Sequence, residues 1–187
     1  MALITTVHPA VVKDAVTASN DSAATCRDRF GVVDVVSFRR RSCTLCFVYL
    51  FPAIRHVMPS SDNLTQLQLV NGSDVTERYL VDSEDLASLD HVCGLFADEM
   101  GGADGCIRWT QCCVKADECC RRQRVRQAAS AHLQSTRSSC AATWDGFSCW
   151  DDAPAGSVVY QPCPEYMRRA DIAGLPPSIH PPLRLYH

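Results

Sequence analysis

The stretch Cys140–Tyr166 reads CAATWDGFSCWDDAPAGSVVYQPCPEY, and its interpretation decides the fold. It holds Trp144 and Trp150, the cysteines Cys140, Cys149 and Cys163, and the turn signals Asp145-Gly146 and Pro154-Ala155-Gly156. A segment with so little apolar mass cannot bury a core of its own, so disulfide bridges must staple it. The two indoles supply large apolar area, and each carries an N–H that needs a partner when buried. Asp145, just before Gly146, suits a carboxylate that accepts backbone N–H bonds in a turn. The alternating run Ser157-Val158-Val159-Tyr160 between turn signals points to short β-hairpins closed by cysteines.

Upstream, a helical pattern runs from Ile107 to Leu133, with Trp109, Cys113, Ala116 and Cys120 on an inward stripe and arginines over its later half. Cys112-Cys113 and Cys119-Cys120 recur after seven residues, two helical turns, so one member of each pair faces the same way. Adjacent cysteines on one helix cannot surround a tetrahedral ion, so bridges to other segments are expected and no metal site. A preceding helix starts at Ser83-Glu84-Asp85, continues through Leu86, Leu89, Cys93, Phe96 and Met100, and stops at Gly101-Gly102.

The whole chain has 187 residues, 12 of them cysteine, and 18 basic against 21 acidic side chains. The net charge of −3 excludes a generic nucleic-acid binder, and 47% apolar residues exclude a purely disordered chain. Charge is unevenly placed: residues 62–104 hold ten acids and one base, residues 115–137 six bases and two acids. Arg121, Arg122, Arg124 and Arg126 lack interleaved aromatics and read as a solvated helix face, with no nucleic acid as partner.

So many cysteines indicate an oxidising compartment, which requires a secretory signal. Arg39-Arg40-Arg41 precede an apolar run, Ser42 to Ile54, that is short of the roughly 20 residues of a membrane span. Residues 39–60 therefore read as a signal-peptide-like segment and residues 1–38 as an upstream leader, the alternative being a buried strand or helix. Cys43-Thr44-Leu45-Cys46 has thioredoxin spacing, but no βαβ pattern surrounds it and it falls inside the signal core. Beyond a cut near Pro59 or Ser60, Asn63-Leu64-Thr65 and Asn71-Gly72-Ser73 match the glycosylation acceptor pattern. Residues 61–105 then form an acidic N-terminal extension containing a helix, and residues 168–187 an unstructured tail. No G-x-S-x-G, H-E-x-x-H or glycine-rich phosphate loop occurs, so the expectation is a non-enzyme without cofactors.

Cys140, Thr143-Trp144-Asp145-Gly146, Cys149-Trp150, Pro154-Ala155-Gly156 and Cys163-Pro164 together resemble the hormone-receptor domain of class B (secretin-family) G-protein-coupled receptors. Within that family they are most similar to calcitonin-type receptors and their arthropod diuretic-hormone relatives. Eight residues separate the first two cysteines and thirteen the next two. The resemblance implies that Cys149 bridges to the preceding helix, at Cys119 or Cys120. It implies that Trp144, Asp145, Gly146, Trp150 and Pro164 are core positions. Phe147 stands where calcitonin-type receptors place a peptide-contacting tryptophan, and Tyr166-Met167 where they place further contacts. In the family Cys140 and Cys163 bridge to two later cysteines, and none follows Cys163 here.

The expected fold is α+β: a small disulfide-rich domain over 106–167, an N-terminal helix followed by short antiparallel β-hairpins, incomplete at its C-terminus. The implied function is capture of a calcitonin-like peptide hormone by a receptor ectodomain on the extracellular side of the plasma membrane. A G protein would be reached only through membrane helices, and a single-span accessory protein is a further implied partner. The alternative expectation is a standalone secreted cysteine-rich peptide-binding or decoy protein.

Overall fold

A computed structural model describes residues 24–130, 139–167 and, as backbone, 183–186. The chain opens with a hairpin, β1 (Thr25–Asp28) and β2 (Gly31–Asp34), and runs directly into helix α1 (Val35–Leu50). Strands β3 (Val57–Pro59), β4 (Gln66–Asn71) and β5 (Asp74–Leu80) form an antiparallel sheet in that order. Helices α2 (Leu86–Met100) and α3 (Ala103–Ser130) follow. The short strands β6 (Ser139–Cys140), β7 (Thr143–Trp144), β8 (Cys149–Trp150), β9 (Ala153–Pro154) and β10 (Val158–Gln161) precede a 3-10 turn at Glu165–Met167 and β11 (Leu183–Tyr186).

Helix α3 is the spine. Trp109, Cys112, Cys113, Ala116, Cys119, Cys120 and Gln123 are all buried along it, steps that keep one face inward over four turns. All five disulfides end on that helix: Cys26–Cys120, Cys43–Cys113, Cys46–Cys112, Cys93–Cys106 and Cys119–Cys149. Helix α1 packs on it from one side, with Phe47 holding Trp109, Phe96 and Phe51 in edge-to-face contacts at centroid distances of 5.3, 6.0 and 5.4 Å. The Trp109 indole N–H donates to the Cys43 carbonyl at 2.9 Å, locking the helices in depth. Helix α2 adds Leu89, Val92, Phe96 and Met100, and the sheet adds Val57 and Leu67.

The fold class is the α+β, disulfide-rich one expected. Residues 39–60, expected as a signal-like segment, contribute most of α1 and all of β3. Cys43, Cys46 and Phe47 are fully buried there. Asp34 caps α1 by accepting the Ser37 N–H at 2.9 Å, which holds its carboxyl below the usual range. The three arginines form ion pairs. Arg39 Nε meets Asp82 at 2.9 Å and Arg39 Nη1 meets Glu84 at 2.9 Å, while Arg40 reaches Asp82 at 3.4 Å and Arg41 reaches Asp28 at 2.6 Å. The acids of the expected extension 61–105 are thus partly spent on α1, and that stretch contributes β4 and β5 besides its helix.

Other boundaries shift for local reasons. The N-cap of α2 is Asp85, whose side chain accepts the Ser88 N–H at 3.3 Å, and not Ser83. Gly101 ends α2 in the left-handed region at φ 88°, where a side chain is disfavoured. Helix α3 ends its described course at Ser130, and residues 131–133 lie outside the described residues, as do residues 1–23 of the expected leader. The rest of that leader is β1, β2 and the start of α1. Of the tail expected to be unstructured, Leu183–Tyr186 pairs antiparallel with β10; residues 168–182 and 187 lie outside the described residues.

Candidate functional site

The segment after α3 opens into a small antiparallel pair, β7 and β8, in which Thr143 faces Trp150 and Trp144 faces Cys149. Of the two expected partners for Cys149, the structure uses Cys119, with a Cα–Cα separation of 5.4 Å. The turn between the strands is built around Asp145. Its Oδ1 accepts the N–H groups of Phe147 (2.8 Å) and Ser148 (2.7 Å), and its Oδ2 accepts the Trp150 indole N–H (2.7 Å). One side chain therefore closes the turn and orients the second tryptophan. Asp152 repeats the device more weakly, accepting the Ala142 N–H at 2.7 Å.

Gly146 is required by two independent facts. Its φ is 109°, and a Cβ there would lie 2.9 Å from Tyr49 Cε2. Tyr49, at the end of α1, also packs against the Phe147 ring with centroids 5.2 Å apart. The first hairpin joins the same face: the Arg29 N–H donates to the Trp144 carbonyl at 3.0 Å, and the Arg29 guanidinium lies over the Tyr49 ring. Gln123 holds the β1 backbone in place, accepting the Arg27 N–H at 2.6 Å and donating to the Arg27 carbonyl at 2.9 Å.

Of the expected contact residues, Phe147 and Tyr166 are brought together, the Tyr166 hydroxyl donating to the Phe147 carbonyl. Met167 shares a neighbour, Tyr49, with Phe147. Its N–H donates to the Pro164 carbonyl at 3.0 Å, and it lines a cavity of about 680 Å³ with Tyr49, Leu50, Ile107 and Arg108. A second cavity, of about 380 Å³, lies between α3 and the β8 side, where Trp144, Pro164 and Tyr166 form much of the wall. Trp144 and Trp150 are each only 2% exposed. Cys120, the other candidate for Cys149, is bonded to Cys26, and Cys140 and Cys163 carry free thiols. Asn63 and Asn71 are exposed, well away from this segment in sequence and in sheet position.

Sequence reasoning missed Tyr49 as a neighbour of Phe147 because it lies in the segment that reads as signal-like. One clue was present: Cys43 and Cys46 are three apart, the spacing that puts two side chains on one helix face.

Burial raises the Tyr166 hydroxyl above its ordinary value of 10.0, with Asp145 and Cys163 adding to the rise. The folded state therefore keeps a proton that the unfolded state gives up. Stability from this group is fully present below about pH 10 and is lost as pH rises above it. Tyr166→Phe is expected to cost about 1–2 kcal/mol at neutral pH, through the orphaned Phe147 carbonyl, and to flatten the alkaline fall. Urea midpoints measured from about pH 8 to about pH 11 check both effects.

Comparison with known proteins agrees with this geometry. Residues 137–174 match the family model of the hormone receptor domain. The calcitonin receptor of Mus musculus is 56% identical over 34 residues, 18% of this chain and 6% of that protein. The calcitonin receptor of Homo sapiens is 63% identical over 27 residues, 14% of this chain and 6% of that protein. The G-protein coupled receptor seb-2 of Caenorhabditis elegans is 28% identical over 168 residues, 79% of this chain and 33% of that protein. The chain thus spans a third or less of each of these relatives. No solved structure matches. The Asp145 turn, the buried tryptophans and the Cys119–Cys149 bridge fall in or beside residues 137–174, the segment that is similar to the hormone receptor domain.

Proposed function

We propose that this chain forms part of a receptor ectodomain that captures a calcitonin-like peptide hormone, using the face around Phe147, Tyr166 and Met167. The observation that carries the reading is the Asp145 turn, which fixes the Phe147 backbone between two hydrogen bonds and sets its ring against Tyr49. A rigid, partly exposed aromatic of this kind is the usual anchor for a bound peptide. Signalling would then proceed through a G protein coupled to the membrane portion of the full receptor, with a single-span accessory protein as a further partner. Among the described residues no helix is long and apolar enough to cross a membrane. The place of action would be the extracellular side of the plasma membrane, with glycans on the exposed Asn63 and Asn71. The hormone receptor domain is a receptor module and not an enzyme family, consistent with a binding role.

The test is fluorescence anisotropy with a labelled, C-terminally amidated calcitonin peptide and the oxidised chain. Saturable binding is expected, and Phe147→Ala should weaken it roughly tenfold, the loss of one anchor residue. No binding by the oxidised chain, or equal binding by the variant, would overturn the proposal.

A further inference from the structure

The face around Phe147 does not stop at that ring. Phe147 packs on Tyr49 with centroids 5.2 Å apart, and the turn between β1 and β2 continues the row. The Arg29 guanidinium carbon lies 4.9 Å from the Tyr49 ring centroid and 4.7 Å from that of Phe30. Phe147, Tyr49, Arg29 and Phe30 are thus joined in sequence by direct contacts. Both members from the turn face water: Arg29 is exposed, and Phe30 keeps 50% of its surface open.

The turn is held in shape by groups other than the Arg29 side chain. Asp28 Oδ1 accepts the N–H groups of Phe30 (2.8 Å) and Gly31 (3.1 Å), and Asp28 Oδ2 meets Arg41 at 2.6 Å. The Arg29 backbone N–H donates to the Trp144 carbonyl at 3.0 Å, and the Cys26–Cys120 bridge ties β1 to α3. The adjacent acid, Asp28, is therefore paired with Arg41, and Arg29 meets no carboxylate among the described residues. A guanidinium stacks on rings through its faces and donates N–H bonds from its edge. One Arg29 Nη donates to the Tyr49 hydroxyl, whose own proton goes to no acceptor among the described residues. What is left is an exposed, stacked cation with unspent edge donors beside a second hydroxyl donor. The group that fits it is a carboxylate, which is planar, accepts only, and can take two parallel N–H bonds.

We propose that the β1–β2 turn extends the capture face with an acid-recognition site. Arg29 and the Tyr49 hydroxyl hold an acidic side chain of the bound peptide, and Phe30 covers an apolar residue next to it. The inference rests on the hormone-capture reading for its peptide, and it adds a charge requirement that Phe147, Tyr166 and Met167 do not impose.

The probes are two acetylated, amidated dipeptides, Glu-Phe and Gln-Phe, titrated into the ¹⁵N-labelled oxidised chain and followed by NMR. The signals read are the Arg29 Nε–H, identified by its loss in Arg29→Gln, and the Phe30 backbone N–H. Glu-Phe should move both saturably and bind at least about threefold more tightly than Gln-Phe, the size of one exposed ion pair. In Arg29→Gln, read at the Phe30 N–H, the two dipeptides should bind alike. Phe30→Ala, which leaves the backbone bonds to Asp28 in place, should weaken Glu-Phe while the Arg29 signal still reports it. An Arg29 signal that does not move, equal binding of the dipeptides by the parent chain, a preference for Glu-Phe that survives in Arg29→Gln, or an unaffected Phe30→Ala variant each overturns the proposal. The dipeptides decide this site and the calcitonin titration decides hormone capture. Calcitonin that fails to bind beside a Glu-Phe preference that holds leaves an acid-recognising face for another peptide, and the reverse result leaves capture without a charge requirement and overturns the site.

Discussion

A chain begun at Ser60 should not fold. Removing residues 1–59 takes away α1 and the hairpin β1–β2, and with them the partners of Cys112, Cys113 and Cys120 on α3. Those three bridges close loops with sequence separations of 66 to 94 residues. Loss of a single native bridge from a small secreted domain costs about 2–5 kcal/mol, so three such losses reach the whole stability of about 5–15 kcal/mol of an ordinary domain. The same cut strips Phe47 from Trp109 and Phe96, exposing a fully buried indole and leaving its N–H without the Cys43 carbonyl. It also leaves Asp82 without Arg39 and Arg40. Expression of both chains in an oxidising host provides the check. The chain that retains residues 24–59 should elute as a monomer, with tryptic peptides of Cys43 and Cys46 cross-linked to those of Cys112 and Cys113. The Ser60 chain should aggregate or lack near-ultraviolet dichroism. A monomeric Ser60 chain with a sharp thermal transition would show that α1 is dispensable.

That prediction turns on what a sequence can and cannot reveal. Three arginines followed by a short apolar run describe a signal peptide and an amphipathic buried helix equally well. The distinguishing facts are long-range: Asp82 lies 43 residues beyond Arg39, and Cys113 lies 70 beyond Cys43. Helix α3 was legible because its evidence is local, a stripe of Trp109, Cys113, Ala116 and Cys120 at helical spacing after the Gly101-Gly102 stop. The start of α2 was legible only to within two residues. Ser83 and Asp85 are both good caps, and what decides between them is which one reaches the Ser88 N–H. The hairpin β4–β5 was missed although Asn71-Gly72 sits at its tip, with Gly72 at φ 63°. The acidity of that stretch drew attention away from its alternating Leu67, Leu69 and Val75. At the site, the turn chemistry of Asp145 followed from sequence because a carboxylate before glycine bonds its own neighbours. The contact of Phe147 with Tyr49 did not, since it depends on where α1 ends relative to a turn 98 positions later.

Asp145 is the position where a single substitution is expected to cost most in the hormone-receptor segment. Its carboxylate accepts three hydrogen bonds, from two backbone N–H groups and one indole N–H. Bonds to a charged acceptor contribute about 1.5–3 kcal/mol each, though three on one side chain are not additive. Asp145→Ala removes all three acceptors and leaves the Trp150 N–H buried without a partner, so a loss of about 3–5 kcal/mol is expected. Asp145→Asn keeps one carbonyl oxygen but presents an NH₂ to at least one donor, so its loss should be about half as large. Asp151→Ala is the control six residues away. Its pairs with Arg122 and Arg126 are half-exposed, at 3.6 and 3.0 Å, and its removal should cost no more than about 0.5 kcal/mol. Urea unfolding of the four oxidised chains, followed by tryptophan fluorescence, ranks them. The order also carries a functional consequence, because the same carboxylate holds the backbone of Phe147. Asp145→Ala should therefore weaken peptide capture at least as much as Phe147→Ala does, even in the fraction that remains folded. A stable Asp145→Ala chain that binds the amidated peptide like the parent would mean that the turn holds itself and that Phe147 needs no such support.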